Sequence, residues 1–271
     1  MGASLGLAVK NSYNTVGVAR RAATVEEASR RKVVDEATTD LVGALERADI
    51  VVLATPVRTV VAQLAICATH ARTAAVITDL GSTKLEITRA MDALPDRLRA
   101  IGSHPMCGKE TAGMEVAEAG LYAGRPWILT RCARTDATAF DTITQLAKAA
   151  GSHTLELDPA KHDTTLAISS HLPYAVAVAL MTTADMAGQN DGDVFRVMAG
   201  GFRDTTRIAA SEETMWTDIL LSNSLAVTEG IRDFQFQLDQ LTALIERRDE
   251  AGLRAYLMAA AGARRLRVNV Q

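Results

Sequence analysis

One histidine lies in a pattern that favours acid–base chemistry. The segment His-Pro-Met-Cys-Gly at residues 104–108 directly follows a predicted strand at residues 99–103. An imidazole titrates near neutral pH, and a histidine at the carboxyl end of a strand is well placed to remove a proton from a ligand. We therefore expect His104 to be a general base. Cys107 also allows a Cys–His nucleophile, but no third group that would orient the pair is evident.

The other four histidines carry weaker signals. His70, His153 and His162 lie in helical or strand patterns without clustered polar partners, which favours a structural role for each. His171 lies in an apolar helical pattern, where an isolated histidine is more often a core residue than a catalytic one.

Two arginines are spaced to bind a carboxylate. The segment Gly-Gly-Phe-Arg-Asp-Thr-Thr-Arg at residues 200–207 places Arg203 and Arg207 four residues apart. If the segment is helical, both guanidinium groups point the same way and can hold a carboxylate. The alternative is an exposed loop in which either arginine pairs with Asp204.

A turn at residues 79–84 follows a predicted strand and begins a helix. In the simplest interpretation, Ser82 or Thr83 is the N-cap of this helix, and Thr83 and Glu86 have the spacing of a capping box. The functional alternative places Ser82 at the carboxyl end of a strand, where ligands of open α/β sheets bind.

The first ten residues resemble the first helix of a dinucleotide-binding unit. Such a unit has a strand and then the pattern G-x-G-x-x-G. Gly2 can serve as the third glycine, but the first two glycines and the strand before them are absent from the sequence. The alternative interpretation of Gly2 is a flexible terminus.

The residues after the next strand predict the cofactor. Ala19 stands where an NAD enzyme usually has Asp or Glu, and Arg20 and Arg21 follow it. The lack of an acid beside adjacent arginines is the pattern expected for a 2′-phosphate, and hence for NADP. A solvated basic loop is the alternative.

Two regions follow from the order of the elements. Short β-branched runs at residues 15–19, 50–54, 75–79, 127–130 and 153–157 alternate with helical patterns at 24–32, 59–70 and 83–93. This alternation predicts a Rossmann-like, doubly wound parallel sheet in residues 1–158. Residues 159–271 are predicted to be all-helical, with Pro173 kinking or dividing the first helix. This region has only about 110 residues and contains long apolar stretches, which it would bury poorly as a monomer. We therefore expect it to be a dimerisation domain.

The composition of the chain argues against several classes of protein. The 271 residues carry 29 basic and 32 acidic side chains, a net charge of −3, which argues against a nucleic-acid or anionic-membrane binder. Three cysteines without a C-x-x-C pattern argue against a disulfide framework or a structural zinc site and favour a reducing cytoplasm. No apolar run approaching the roughly 18 residues of a membrane span, and no signal peptide, is evident.

Several of these segments together resemble the prephenate/arogenate dehydrogenase family of tyrosine biosynthesis. The similarity runs in order from residue 1 to about residue 260 and is carried by segments 79–84, 102–108, 170–173, 200–209 and 215–219. The resemblance implies an oxidoreductase that oxidatively decarboxylates a cyclohexadienyl substrate, prephenate or arogenate, with NADP or NAD as hydride acceptor, and that forms a homodimer.

The resemblance also implies roles for single residues. His104 matches the catalytic histidine, Ser82 the serine that helps hold it or the substrate hydroxyl, and His171 the second active-site histidine. Arg207 matches the arginine that binds a substrate carboxylate, and Gly200 and Asp204 match pocket residues. Trp216 matches a tryptophan with a structural role. The expected cofactor-binding residues are Gly2, Ala19, Arg20, Arg21, Thr55 and Pro56.

The sequence departs from the family pattern in several places. Cys107 replaces the usual Ala, and Lys109, just before Glu110, replaces Ser or Thr and bears on recognition of the substrate side chain. The first strand of the nucleotide-binding domain is missing, which points to a truncated gene model or to a form that binds cofactor poorly. Two alternatives therefore stay open: a non-catalytic dimeric binding protein, and a dehydrogenase of the 3-hydroxyacid type. The second is weakened because no lysine lies beyond Lys161 to act as its catalytic lysine.

Overall fold

The first part of the chain is a layered α/β structure. The computed structural model describes residues 1–108, 113–189 and 191–268. Its strands are β1 Val16–Val18, β2 Glu36–Thr38, β3 Ile50–Leu53, β4 Val76–Asp79, β5 Arg99–Ala100, β6 Gly102–Pro105, β7 Pro126–Thr130 and β8 His153–Glu156. The helices among them are α1 Gly2–Val9, α2 Ala22–Arg31, α3 Leu41–Arg47, α4 Val57–His70, α5 Leu85–Asp92 and α6 Ala137–Ala149. A 3₁₀ turn spans Ala119–Tyr122.

Most strand pairs are parallel, as predicted for a Rossmann-like fold. β1 pairs with β2, β3 with β4, β4 with β5 and β7 with β8, all in parallel. The pair β6 and β7 is antiparallel, which the prediction of a parallel sheet did not contain. The predicted single strand at residues 99–103 is also wrong, because the chain leaves β4 after Ala100 and pairs with β7 from Gly102. His104 consequently lies inside β6 rather than after a strand.

The sheet is interrupted between β1 and β3. β1 and β2 form one ladder and β3, β4 and β5 another, and no hydrogen-bonded strand joins them within the described residues. Val16 and Val18 of β1 are 39% and 40% exposed. α1 is the first element of the described residues. The absence of the family's first strand stays a prediction.

Both faces of the strands are covered by helices. Alternate side chains of β4 point to opposite faces, so that Ile77 packs in a core with α4 and α5, whereas Val76 packs in a core with α1 and α6. The second core also contains Trp127, which is fully buried. This arrangement fixes the carboxyl end of β4 between two packed layers.

Helices dominate after residue 158, as predicted. They are α7 Pro159–Leu166, α8 Leu172–Gly188, α9 Asp193–Arg196, α10 Gly200–Thr206, α11 Glu213–Ser222, α12 Ser224–Glu246 and α13 Glu250–Val268. A π-helical turn, Ala167–His171, separates α7 from α8 just before Pro173, and a 3₁₀ turn, Arg207–Ala210, follows α10. The chain forms two compact units, residues 1–224 and residues 225–271. A domain boundary at residue 158 stays a prediction.

One helical run corrects an expectation from the sequence. Pro159–Gly188 is long and apolar enough, by length and composition only, to cross a membrane, with a mean hydropathy of 1.4 over an 18-residue window. The sequence prediction counted uninterrupted apolar residues and so overlooked a run that contains isolated polar ones. The core helix of a soluble protein passes the same test, so the finding is weak evidence for a membrane segment.

Candidate active site

The candidate site begins at the carboxyl ends of β3 and β4. Leu53 and Asp79 are register partners at the ends of these parallel strands, so the loops that follow them leave the same edge of the sheet. Thr55 and Pro56 lie in the first loop, where Thr55 Oγ1 donates to Gln63 Oε1 at 2.8 Å. This edge is where open α/β sheets bind their ligands.

The start of α1 lies at the same edge and fits a nucleotide. A Cβ on Gly2 would lie 3.0 Å from Ala54 Cβ, so the lack of a side chain at Gly2 allows the helix to pack closely on the end of β3. The first N–H groups of a helix have no partners within it and favour phosphate. Gly2 therefore meets the steric requirement for the third glycine of a dinucleotide-binding turn.

The residues expected to determine the preference for NADP over NAD directly follow β1. Ala19 N–H donates to Thr38 O at 3.1 Å, which holds the turn against β2. Arg20 and Arg21 are exposed, and Arg21 is the N-cap of α2. Neither arginine forms a salt bridge with a residue in the described ranges, which leaves both guanidinium groups available to an anion.

His104 lies beside the end of β4 and contacts another histidine. Its Nδ1 lies 3.0 Å from His162 Nε2, and the two rings meet edge to face with centroids 5.2 Å apart. His104 is 9% exposed and His162 is fully buried. The sequence interpretation that His162 has no clustered partners is wrong, because α7 carries it to a strand 58 residues away in sequence.

Asp163 continues the contact from His162. His162 Nδ1 lies 2.7 Å from Asp163 Oδ1. The same carboxylate accepts hydrogen bonds from Lys84 N–H at 2.7 Å and Leu85 N–H at 2.9 Å, at the start of α5. The predicted capping box of Thr83 and Glu86 is therefore wrong. α5 begins at Leu85, the Asp163 carboxylate caps it from another helix, and Thr83 Oγ1 instead lies 2.8 Å from Ser222 Oγ.

A buried ion pair lies under His104. Lys84 and Asp79 are both fully buried, and Lys84 Nζ contacts Asp79 Oδ2 and donates to Ser103 O at 2.8 Å. Asp79 Oδ1 accepts the Ser103 N–H at 3.0 Å. The pair thus fixes the residue before His104 to the end of β4. Sequence analysis placed neither Lys84 nor Asp79 in the site.

His171 ends the π-helical turn and belongs to the same cluster. It is 1% exposed, its Nδ1 lies 3.2 Å from Asn223 Nδ2, and its ring meets Trp216 edge to face at 6.2 Å. Asn223 Nδ2 also donates to Asp163 O at 2.7 Å. Tyr174 stacks on Trp216 with centroids 3.7 Å apart. Such π-helical turns occur frequently at functional sites.

The remaining predicted residues are less constrained. Ser82 is half-buried in the loop between β4 and α5. Gly200 and Asp204 lie on α10, and Arg207 begins the 3₁₀ turn that packs against α8; all three are exposed. Because the α-helix ends at Thr206, the predicted helical spacing of Arg203 and Arg207 holds only in part. Lys109 and Glu110 lie outside the described residues.

Burial keeps the three clustered histidines neutral. Desolvation holds the pKa of His104 well below its ordinary value, and His162, Lys84 and His171 lower it further. Burial also lowers the pKa of His162, against the opposing hydrogen bond to Asp163. The same cause lowers the pKa of His171 to about 4. For Asp163, burial opposes ionisation, but hydrogen bonds from His162, Leu85 and Lys84 outweigh it and lower the pKa.

These shifts predict a loss of stability in mild acid. The unfolded chain protonates these three histidines below about pH 6.5, whereas burial keeps them unprotonated in the folded chain, so the unfolded state binds more protons there. The free energy of unfolding should fall as the pH drops from 6.5, by up to about 1.4 kcal/mol per pH unit for each histidine. For His171 this window ends near pH 4.

Urea unfolding at several pH values between 7.5 and 4.5 checks this expectation. Replacing His171 with Asn should reduce the slope, whereas replacing the exposed His153 with Gln should not. A free energy of unfolding that stays constant from pH 7 to pH 5 would contradict the lowered pKa values of these histidines.

Fold and site together define a class. A Rossmann-like sheet with a helix N-terminus suited to phosphate, beside a buried neutral histidine, is the arrangement of a nicotinamide-dependent oxidoreductase. The family models for "Prephenate dehydrogenase, nucleotide-binding domain" and "Prephenate dehydrogenase, dimerization domain" match residues 5–156 and 158–259. The chain belongs to the prephenate dehydrogenase family, which confirms the resemblance found in the sequence.

Individual relatives agree with this assignment. A prephenate dehydrogenase of Bacillus subtilis (strain 168) is 31% identical over 96% of this chain and 71% of its own length. The structure of Aquifex aeolicus prephenate dehydrogenase in complex with hydroxyphenyl propionate and NAD+ superposes with a TM-score of 0.90, at 31% identity, over 97% of this chain and 93% of that one. Synechocystis arogenate dehydrogenase gives a TM-score of 0.81 at 31% identity, over 97% and 95%.

Proposed function

We propose that this chain oxidatively decarboxylates prephenate, arogenate or both, with NADP as the preferred cofactor and His104 as the general base. The observation that carries the proposal is the position of His104. Burial lowers its pKa, its Nδ1 contacts His162, and the residue before it, Ser103, donates its N–H to Asp79 at the end of β4. A neutral imidazole can accept a proton at neutral pH, which an imidazolium cannot.

The reaction requires one proton acceptor and one hydride acceptor. The substrate ring carries a hydroxyl at C4 and a carboxylate at C1. A bound nicotinamide supplies the hydride acceptor. His104 Nε2 takes the hydroxyl proton as hydride leaves C4; loss of CO₂ from C1 then returns an electron pair to the ring. The same imidazole gives its proton back to the oxygen as the ring becomes a phenol.

We assign the substrate carboxylate to Arg207, on the match to the family motif. Its turn packs against α8, which begins directly after His171. A guanidinium group can hold a carboxylate through two parallel hydrogen bonds. We also propose that Ser82, Gly200, Asp204, Lys109 and Glu110 take part in substrate binding, and that Lys109 bears on the choice between a keto and an amino side chain.

Arg20 and Arg21 give a test of cofactor choice. Replacing both with Ala should raise the Kd of NADP about 10- to 100-fold, because two cations that face the 2′-phosphate are lost, and should change the Kd of NAD less than about threefold. Fluorescence titration measures both constants. Arg30→Ala is the matched control, since Arg30 lies on α2, the helix that follows Arg20 and Arg21, but pairs with Glu27. Equal loss for both cofactors would contradict the assignment.

We also propose a cytoplasmic homodimer. Large apolar side chains are exposed in residues 225–268, and the family model that matches residues 158–259 is named a dimerization domain. Examples are Leu225 at 89%, Phe236 at 58%, Leu257 at 54% and Met258 at 66%. A second copy would remove such side chains from water, whereas a monomer leaves them exposed.

The direct experiment is a turnover assay. Formation of reduced cofactor at 340 nm is followed with NADP or NAD on prephenate and on arogenate separately. Turnover in any of the four combinations supports the proposal, and their ratio decides the substrate and the cofactor. No turnover in all four, by protein that is folded and binds the cofactor, would favour a non-catalytic binding protein.

A further inference from the structure

We propose that His162 and Asp163 are positioning residues that set the tautomer of His104, so that its proton-accepting lone pair lies on Nε2. This inference rests on the proposed function, since it specifies how the general base is prepared. It starts from a buried chain of three side chains. His104 Nδ1 lies 3.0 Å from His162 Nε2, and His162 Nδ1 lies 2.7 Å from Asp163 Oδ1.

The direction of each hydrogen bond follows from the carboxylate. Asp163 accepts the backbone N–H groups of Lys84 and Leu85, and these bonds hold it in the ionised form. An ionised carboxylate only accepts hydrogen bonds, so the proton between it and His162 must belong to His162 Nδ1. A neutral imidazole carries one N–H, and the Nε2 of His162 is therefore an acceptor.

The same donor and acceptor argument assigns the proton between His162 and His104. His162 Nε2 accepts, so the proton between the two rings must belong to His104 Nδ1. The lone pair of neutral His104 then lies on Nε2. No hydrogen-bond partner for Nε2 occurs within residues 1–108, 113–189 and 191–268, so this atom is available to a ligand. The opposite tautomer would place two lone pairs 3.0 Å apart in a buried site.

The fold holds the two positioning residues rigidly. The Asp163 carboxylate is fixed at the start of α5, and its backbone carbonyl accepts Asn223 Nδ2 at 2.7 Å. His162 and Asp163 are 0% and 4% exposed, so water does not compete for these bonds. His162 therefore cannot rotate away from His104 without breaking a buried contact to Asp163.

The position of the His162 ring also explains how His104 stays neutral. A carboxylate in direct contact with an imidazole favours the imidazolium, whereas here a neutral imidazole stands between them. The charged or titratable groups that face His104 come from four elements: His162 and Asp163 on α7, Lys84 before α5, Asp79 at the end of β4, and His171 in the π-helical turn. Lys84 and His171 both oppose protonation of His104.

The tautomer can be measured without turnover. In the full chain labelled with ¹⁵N-histidine, long-range ¹H–¹⁵N correlation spectra distinguish Nδ1–H from Nε2–H rings, and single His→Gln variants assign the five histidines. We expect His104 and His162 both to carry the proton on Nδ1 at pH 7.5. An Nε2–H form of His104 would overturn the inference, even if the enzyme is active.

Two variants separate positioning from packing. His162→Phe keeps a planar ring but removes the acceptor, and should mix the His104 tautomers and lower kcat about 10- to 100-fold, with KM changed less than about threefold. His162→Gln can still accept from His104 Nδ1 through its amide oxygen, and should recover most of the lost kcat and the Nδ1–H signal. The exposed His153→Gln is the control and should match the unchanged protein.

The outcomes distinguish this inference from the proposed function. Absence of turnover in the unchanged protein would count against the function, while the spectra would still decide the tautomer. Normal kcat and an unchanged His104 spectrum in His162→Phe would overturn the inference and leave the function standing. Equal losses of kcat in His162→Phe and His162→Gln, without a change of tautomer, would reduce His162 to a packing residue.

Discussion

Replacing His104 with Asn should lower kcat about 10²- to 10⁴-fold while KM changes less than about threefold. An Asn side chain can still offer an N–H toward His162, so the buried contact at Nδ1 has a substitute. It has no basic atom to take the hydroxyl proton as hydride departs, and removal of a general base costs a factor of this size. Steady-state kinetics on the better substrate measure the effect.

Two controls make this expectation specific. Unchanged urea unfolding and an unchanged cofactor Kd would show that the His104→Asn protein is folded and assembled. His153→Asn, on an exposed position of β8, should retain full activity. Near-normal turnover by the His104 variant would refute the assignment of His104 as the base, and a loss confined to KM would make it a binding residue instead.

The sequence analysis proposed His104 and His171 for the site but did not predict the groups that connect them. Two residues that are adjacent on a helix do not generally face each other, so His162 followed by Asp163 carries no signal of a contact. Their partners lie far off in sequence, with His104 58 residues before His162. The contact depends on how α7 packs against α5 and β6, which no local pattern specifies.

Lys84 and Asp79 were overlooked for a related reason. Both lie in the turn at residues 79–84, which was interpreted through Ser82 and Thr83 as a helix cap. A lysine is normally exposed, and composition alone gives no reason to bury one. Only the paired burial of the two charges beneath β6 shows that the turn anchors the strand of His104.

The fold was predictable where strands are apolar and helices have a clear periodicity. Five of the six predicted strands and the long helices after residue 158 have counterparts. The sixth strand, residues 99–103, is divided between β5 and β6, and β2, α3 and α6 were not predicted. β2 is a short polar strand, Glu-Ala-Thr, with no apolar alternation. α6 did carry a signal, since Asp136 caps it by accepting from Ala139 N–H and Ile143 and Leu146 repeat at helical spacing.

Replacing Lys84 with Met should lower the free energy of unfolding by about 3–5 kcal/mol. Lys84 and Asp79 are both fully buried, and removal of one partner leaves the other as an uncompensated charge in a medium that solvates it poorly. The Ser103 carbonyl also loses its hydrogen bond from Lys84 Nζ. Urea unfolding at pH 7.5 measures the change, which is expected to be the largest of any single substitution considered for this site.

The companion variant shows whether charge or packing is responsible. Adding Asp79→Asn to Lys84→Met removes the stranded charge and keeps an amide oxygen to accept from Ser103 or Gly81 N–H, so the double variant should be more stable than Lys84→Met alone. Arg47→Met breaks the exposed pair with Glu36 and should leave the free energy of unfolding almost unchanged. The single variant Asp79→Asn completes the comparison. If the free energy of unfolding falls in the double variant by the sum of the decreases in Lys84→Met and Asp79→Asn, the cost is one of packing. Lys84 and Asp79 would then be independent core residues rather than a pair that anchors the strand of His104 to the end of β4.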